Sequence, residues 1–121
     1  MMQSSSNIFL SHKSTNYHDF FQIYTDGSRC ETGTSYAVVT QEADVFSCLE
    51  ARKLPEICTI FTAELYAIYR AVKIINVSSW DKAVVFSDSL GALQAIKGTS
   101  TICHYLTKLQ HILATTKKLS F

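Results

Sequence analysis

"TIFTAELYAIYRAVKII", residues Thr59 to Ile75, is the stretch on which the fold turns. Phe61, Leu65, Ile68, Val72 and Ile75 recur at alternating steps of four and three, the period of a helix with one apolar face. Thr59 suits its N-cap, because a threonine hydroxyl accepts a hydrogen bond from an N–H that the first turn leaves without a partner. Glu64 falls about 40° around this helix from Ile68, so it borders the apolar face rather than the solvent face. A carboxylate in that place wants a cation.

The segments before the helix have strand character. "FFQIYT", Phe20 to Thr25, is aromatic and β-branched, and it is expected to stop at an Asp26-Gly27 turn. "SYAVVT", Ser35 to Thr40, is a second strand, and "DVFSCLEARKL", from Asp44, contains a third, which together suggest a three-stranded antiparallel meander. After the helix, "KAVVFSDS" is an apolar run fit for a buried strand, and "SLGALQAIKG" reads as a helix closed by Gly98. A further helix is expected over "TICHYLTKLQHILATT", with Ile102, Leu106, Leu109 and Leu113 on one face, and "KKLSF" reads as the opening of another strand. The order is β, β, β, α, β, α, α, β, an α/β fold with a mixed sheet.

Composition sets the outer bounds. A chain of 121 residues makes one domain, which buries roughly 65% of the unfolded chain's surface. Hydrophobic residues at 47% and charged residues at 17% are ordinary for a packed globular protein. The formal charge of +1 gives no strong basic signal for nucleic acid and does not exclude it. Cys30, Cys48, Cys58 and Cys103 lie far apart without C-x-x-C spacing, which disfavours a zinc or redox motif and favours buried free thiols. No apolar run approaches the roughly 20 residues of a membrane span. Residues 1–18, rich in Ser, Asn, His and Thr, have no sustained period and no signal-peptide pattern. They are expected to be a flexible leader or linker, with the domain over 19–121 and an intracellular, reducing location.

Three acidic residues stand where such a sheet can gather them. Asp26 ends the first predicted strand, Glu64 lies in the first turns of the long helix, and Asp88 ends the strand before the second helix. In open α/β sheets, sites form beyond the carboxyl ends of strands, beside a switch in strand order. Each residue also has an ordinary explanation: turn chemistry for Asp26, the helix dipole for Glu64, an N-cap for Asp88. Gathered together, however, carboxylates repel, and either one is protonated or a cation binds between them. Hard oxygen ligands without Cys or His point to Mg²⁺ or Mn²⁺. Two such ions about 4 Å apart activate a water and stabilise the leaving oxygen in phosphodiester hydrolysis.

With those residues in view, "IYTDGSR", "FTAELYAIYRAV" and "VVFSDSLGALQAI" resemble ribonuclease H type 1, in particular the domain attached to reverse transcriptases of non-LTR retrotransposons. Order, spacing and flanking residues agree over roughly residues 20–121. The resemblance implies a ribonuclease H-like mixed sheet, three antiparallel strands plus parallel ones, with helices on both faces. It implies that Asp26, Glu64 and Asp88 are catalytic, metal-binding carboxylates. The implied reaction is endonucleolytic hydrolysis of the RNA strand of an RNA:DNA hybrid, and the implied partner is a reverse transcriptase domain of a larger polyprotein. Ser28 and Arg29 follow the metal turn and are candidates to approach phosphate or sugar. Lys97, Lys117 and Lys118 are candidates for backbone attraction or, more simply, a solvated face.

The family pattern continues with a His and a fourth carboxylate on a last helix, whereas this chain ends at Phe121. The sequence is therefore expected to lack the last strand and helix and to cleave feebly or not at all. His104 and His111 read as ordinary helix residues and do not replace the family His. A competing reading keeps the fold without the enzyme, as a transposon-derived remnant that binds nucleic acid or metal without cleavage. A phosphoacceptor module is disfavoured, because Thr25 and Gly27 flank Asp26 where an acidic pair would be needed.

Overall fold

The computed structural model describes residues 7–12, 19–42, 45–78, 82–97 and 118–120. Its elements are β1 (Asn7–Ser11), β2 (Phe21–Cys30), β3 (Gly33–Glu42), β4 (Val45–Leu54), α1 (Ile60–Asn76), β5 (Lys82–Ser87), α2 (Leu90–Lys97) and β6 (Lys118–Ser120). The strands form one mixed sheet in the order β4-β3-β2-β5-β1-β6. The expected meander is present: β2 pairs antiparallel with β3, and β3 with β4. β5 lies parallel to both β2 and β1, and β1 parallel to β6.

α1 packs across β2, β3 and β5. Leu65, Ile68, Val72 and Ile75 are buried as the four-and-three spacing requires, and Phe61 packs at the margin of the same core. Thr59 caps the helix, its hydroxyl accepting from the Thr62 N–H at 3.1 Å. β5 is buried from Ala83 to Ser87, which explains why it reads as a continuous apolar run rather than an alternating one. α2 contacts α1, and its Ala92 and Leu93 join that core. The third predicted helix lies outside the described residues, and with it the question of helices on both faces.

Three expectations need correction. Residues 7–11 are not leader but a strand: Ile8 and Leu10 are buried, and β1 sits between β5 and β6. A short Ile-Phe-Leu run among polar residues is enough when parallel neighbours on both sides take its backbone hydrogen bonds. Asp26-Gly27 is not a turn, because β2 continues to Cys30 and the chain reverses at Glu31 and Thr32, with Gly33 at φ 131°. Partner residues Ala37 and Tyr36 of β3 hold Asp26 and Gly27 in the ladder. Finally, Cys30 and Cys48 are exposed and Cys58 is only partly covered, while Cys103 lies outside the described residues. Cys30 stands at the hairpin end and Cys48 on the edge strand β4, where little packs over them.

A half-buried polar cluster ties α1 to the antiparallel part of the sheet. Arg70 of α1 grips Glu50 of β4 with two bonds, Nε to Oε2 at 2.6 Å and Nη2 to Oε1 at 2.8 Å. Tyr36 of β3 donates its hydroxyl to the same carboxylate. The Arg70 guanidinium, helped by Tyr36, holds the Glu50 carboxyl below its usual value against the cost of burial.

Candidate metal centre

Parallel pairing of β2 with β5 ends at the register pair Thr25 and Ser87. Asp26 follows the first and Asp88 the second, so two carboxylates leave the parallel pair side by side at its carboxyl end. Beyond Thr25, β2 keeps only β3 as a strand partner among the described residues, and the Gly27 N–H is taken by a side chain: it donates to Glu64 Oε1 at 3.0 Å. Glu64 comes from the second turn of α1, which crosses β2 directly above Gly27. A Cβ at Gly27 would stand 2.8 Å from the Glu64 nitrogen and 3.0 Å from the Ala63 Cβ. Glycine is thus what lets the helix backbone lie on the strand at this point.

The outcome is that Asp26, Glu64 and Asp88 each offer a carboxylate oxygen within 4.8 Å of the others. Asp26 and Asp88 are exposed and Glu64 is partly covered. The ordinary explanations fall away. Asp26 is in a ladder rather than a turn. Glu64 lies beyond the first helical turn, which holds no acidic residue. Ser89, not Asp88, caps α2, accepting from the Ala92 N–H at 3.2 Å. Burial first, then the Asp88 and Asp26 charges, push the Glu64 carboxyl up to about 7, with the Gly27 N–H opposing them. Burial and Asp88 also raise Asp26. Three carboxylates so close repel one another and form a group that could hold a metal ion.

Other expected residues separate. Ser28 lies beside the cluster and lines, with Asp26, Ser35, Ala37, Arg52 and Lys53, a groove over β2, β3 and β4. Its hydroxyl is 2.9 Å from that of Ser35. Arg29 instead points back into the chain, donating to Thr34 Oγ1 at 2.7 Å and to the Cys58 carbonyl at 2.9 Å. Lys117 lies outside the described residues, as do the side chains of Lys97 and Lys118. Sequence reasoning missed His12, which lines a pocket with Thr25, Ser87 and Asp88, because it stands in the segment read as leader. It also missed Ser35 and Lys53, which carry no motif and reach the groove only through strand register: Ser35 faces both Ser28 and Lys53. No protein-family model matches the chain, and no curated protein matches it.

Proposed function

We propose that the chain is a ribonuclease of the ribonuclease H type 1 kind, hydrolysing the RNA strand of RNA:DNA hybrids with Mg²⁺ or Mn²⁺. The observation that carries this reading is the meeting of Asp26, Glu64 and Asp88, with oxygens within 4.8 Å, at the carboxyl end of a parallel strand pair. These three residues would hold the metal, which when bound supplies charge neutralisation at the scissile phosphate and an activated water. The chain's own part is orientation. The Gly27 N–H fixes the Glu64 carboxylate, and β2 and β5 hold Asp26 and Asp88 in register. Hydroxyls of Ser28 and Ser35 and the ammonium of Lys53 line the groove beside Asp26 and suit sugar and phosphate. Choice of the RNA strand would rest on its 2′-OH. Association with a reverse transcriptase domain belongs to the same proposal.

The test is hybrid cleavage with strand-specific labels, in Mg²⁺ and in Mn²⁺, by the parent chain and by Asp26→Asn and Asp88→Asn. Metal-dependent cleavage of the RNA strand alone, lost in both variants, is expected. Hybrid that is bound but never cut would replace the enzyme by a binding module.

A further inference from the structure

We infer that Arg29 is a positioning residue: it clamps the turn that leads into α1 and so sets where Glu64 docks on Gly27. This deepens the reading of the carboxylate site and rests on that reading for its functional meaning.

The segment between β4 and α1 is a tight turn, closed by the Cys58 N–H donating to the Pro55 carbonyl at 3.0 Å. Two carbonyls of this turn meet the Arg29 guanidinium. Nη1 lies 2.9 Å from the Cys58 oxygen and 3.5 Å from the Glu56 oxygen. The Cys58 carbonyl takes a second donor, the Thr34 hydroxyl, at 2.9 Å, and the same hydroxyl accepts from Arg29 at 2.7 Å. Thr34 is fully buried and pairs with Arg29 in the ladder between β2 and β3. Cys58 immediately precedes the N-cap Thr59, so the clamp grips the chain one residue before the cap.

These contacts close a short circuit. It runs from Asp26 and Gly27 along β2 to Arg29, across to Cys58, through Thr59 into the helix, and back from Glu64 to the Gly27 N–H. Close backbone approach at Gly27 sets one contact between β2 and the first turns of α1. The Arg29 clamp fixes the entrance of a helix whose later turns are held by the core and by the Arg70–Glu50 pair, so it acts on the first turns, where Glu64 stands. The contacts all run from one nitrogen, Nη1, to the Thr34 hydroxyl and the two turn carbonyls, so a lysine ammonium at this strand position can take over most of them.

Two readouts separate this inference from the reading of the site. The Gly27 amide, followed by hydrogen exchange in metal-free protein, reports the docked carboxylate. Its exchange should quicken roughly tenfold in Arg29→Ala, while the core amide of Ile68 keeps its protection, and Arg29→Lys should restore most of the difference. Unchanged Gly27 protection in Arg29→Ala overturns the inference. So does an equal loss at Gly27 and Ile68, since that is general destabilisation. Mn²⁺ titration supplies the second arm: the parent should bind, and Arg29→Ala should bind roughly tenfold more weakly. A parent that binds no Mn²⁺ sinks the metal reading, and the Gly27 amide then still decides the role of Arg29.

Discussion

Gly27 carries more of the site than its size suggests, because its missing Cβ admits the helix and its N–H orients Glu64. Gly27→Ala puts a methyl 2.8 Å from the Glu64 nitrogen, a backbone atom that cannot swing aside. Overpacking of that kind should cost about 1 to 3 kcal/mol in urea melts, with metal affinity falling alongside. Glu64 gives the opposite sign in metal-free protein. Its carboxyl is raised to about 7 in the fold from an ordinary 4.5, so its contribution to stability is complete below 4.5 and is lost as the pH rises through 7. Glu64→Gln should therefore stabilise the metal-free chain at pH 8, by on the order of 1 kcal/mol once solvent screening is allowed for, and should change little near pH 4. Urea melts at the two pH values check this. At this scale the candidate residues were legible, since Asp26, Glu64 and Asp88 follow from their places on two strands and a helix. Their neighbours were not. Asp-Gly has strong turn chemistry locally, and only cross-strand pairing with Ala37 and Tyr36 keeps it extended.

Elements differ in how much of their reason is local. α1 was plain in the sequence because its apolar stripe is set by spacing within one segment. Leu65 and Ile68 are at most 1% exposed, and replacing either by alanine should cost about 2 to 5 kcal/mol in denaturant melts. β1 was illegible because a five-residue strand has too few positions to show a period, and its stability comes from neighbours remote in sequence. Ile8 is fully buried, so Ile8→Ala should cost about as much as the core helix substitutions, again roughly 2 to 5 kcal/mol. A cost near zero would return residues 7–11 to the role of leader. The tie between α1 and β4 predicts a pH dependence of its own. Arg70 and Tyr36 depress the Glu50 carboxyl in the fold, so this contribution is present above the ordinary carboxyl range and is lost as the pH falls through the depressed value. Glu50→Gln should cost about 1 to 2 kcal/mol at pH 7, less than for a fully buried pair because Arg70 is one quarter exposed. The deficit should shrink as the pH falls through the depressed value, where the parent loses the same charge.

For the whole molecule, the order β4-β3-β2-β5-β1-β6 puts the strand bearing Asp26 next to the strand that precedes Asp88, though the two are far apart in the chain. Hydrophobic pattern cannot give such an order, because β5 is buried along its length and reads the same beside any neighbour. The sheet thereby joins three otherwise separate pieces, β2, α1 and the junction of β5 with α2, at one cluster of like charge. Without a cation the cluster pushes them apart. A cation bound there should hold them together, and since the unfolded chain scatters the three carboxylates, binding should stabilise the folded state by mass action. At a metal concentration about 100 times the dissociation constant, the gain should be about 2.7 kcal/mol. We expect Mg²⁺ and Mn²⁺ to raise the unfolding midpoint of the parent in this way and to leave that of the double variant Asp26→Asn, Asp88→Asn unmoved. Protons compete for the same oxygens, and Glu64 is the member raised to about 7, so the gain should fade as the pH drops below 7. The check is a thermal melt series over metal concentration at pH 8 and pH 5.5. An equal rise in parent and double variant would place the metal elsewhere, and a gain independent of pH would exclude Glu64 from its ligands.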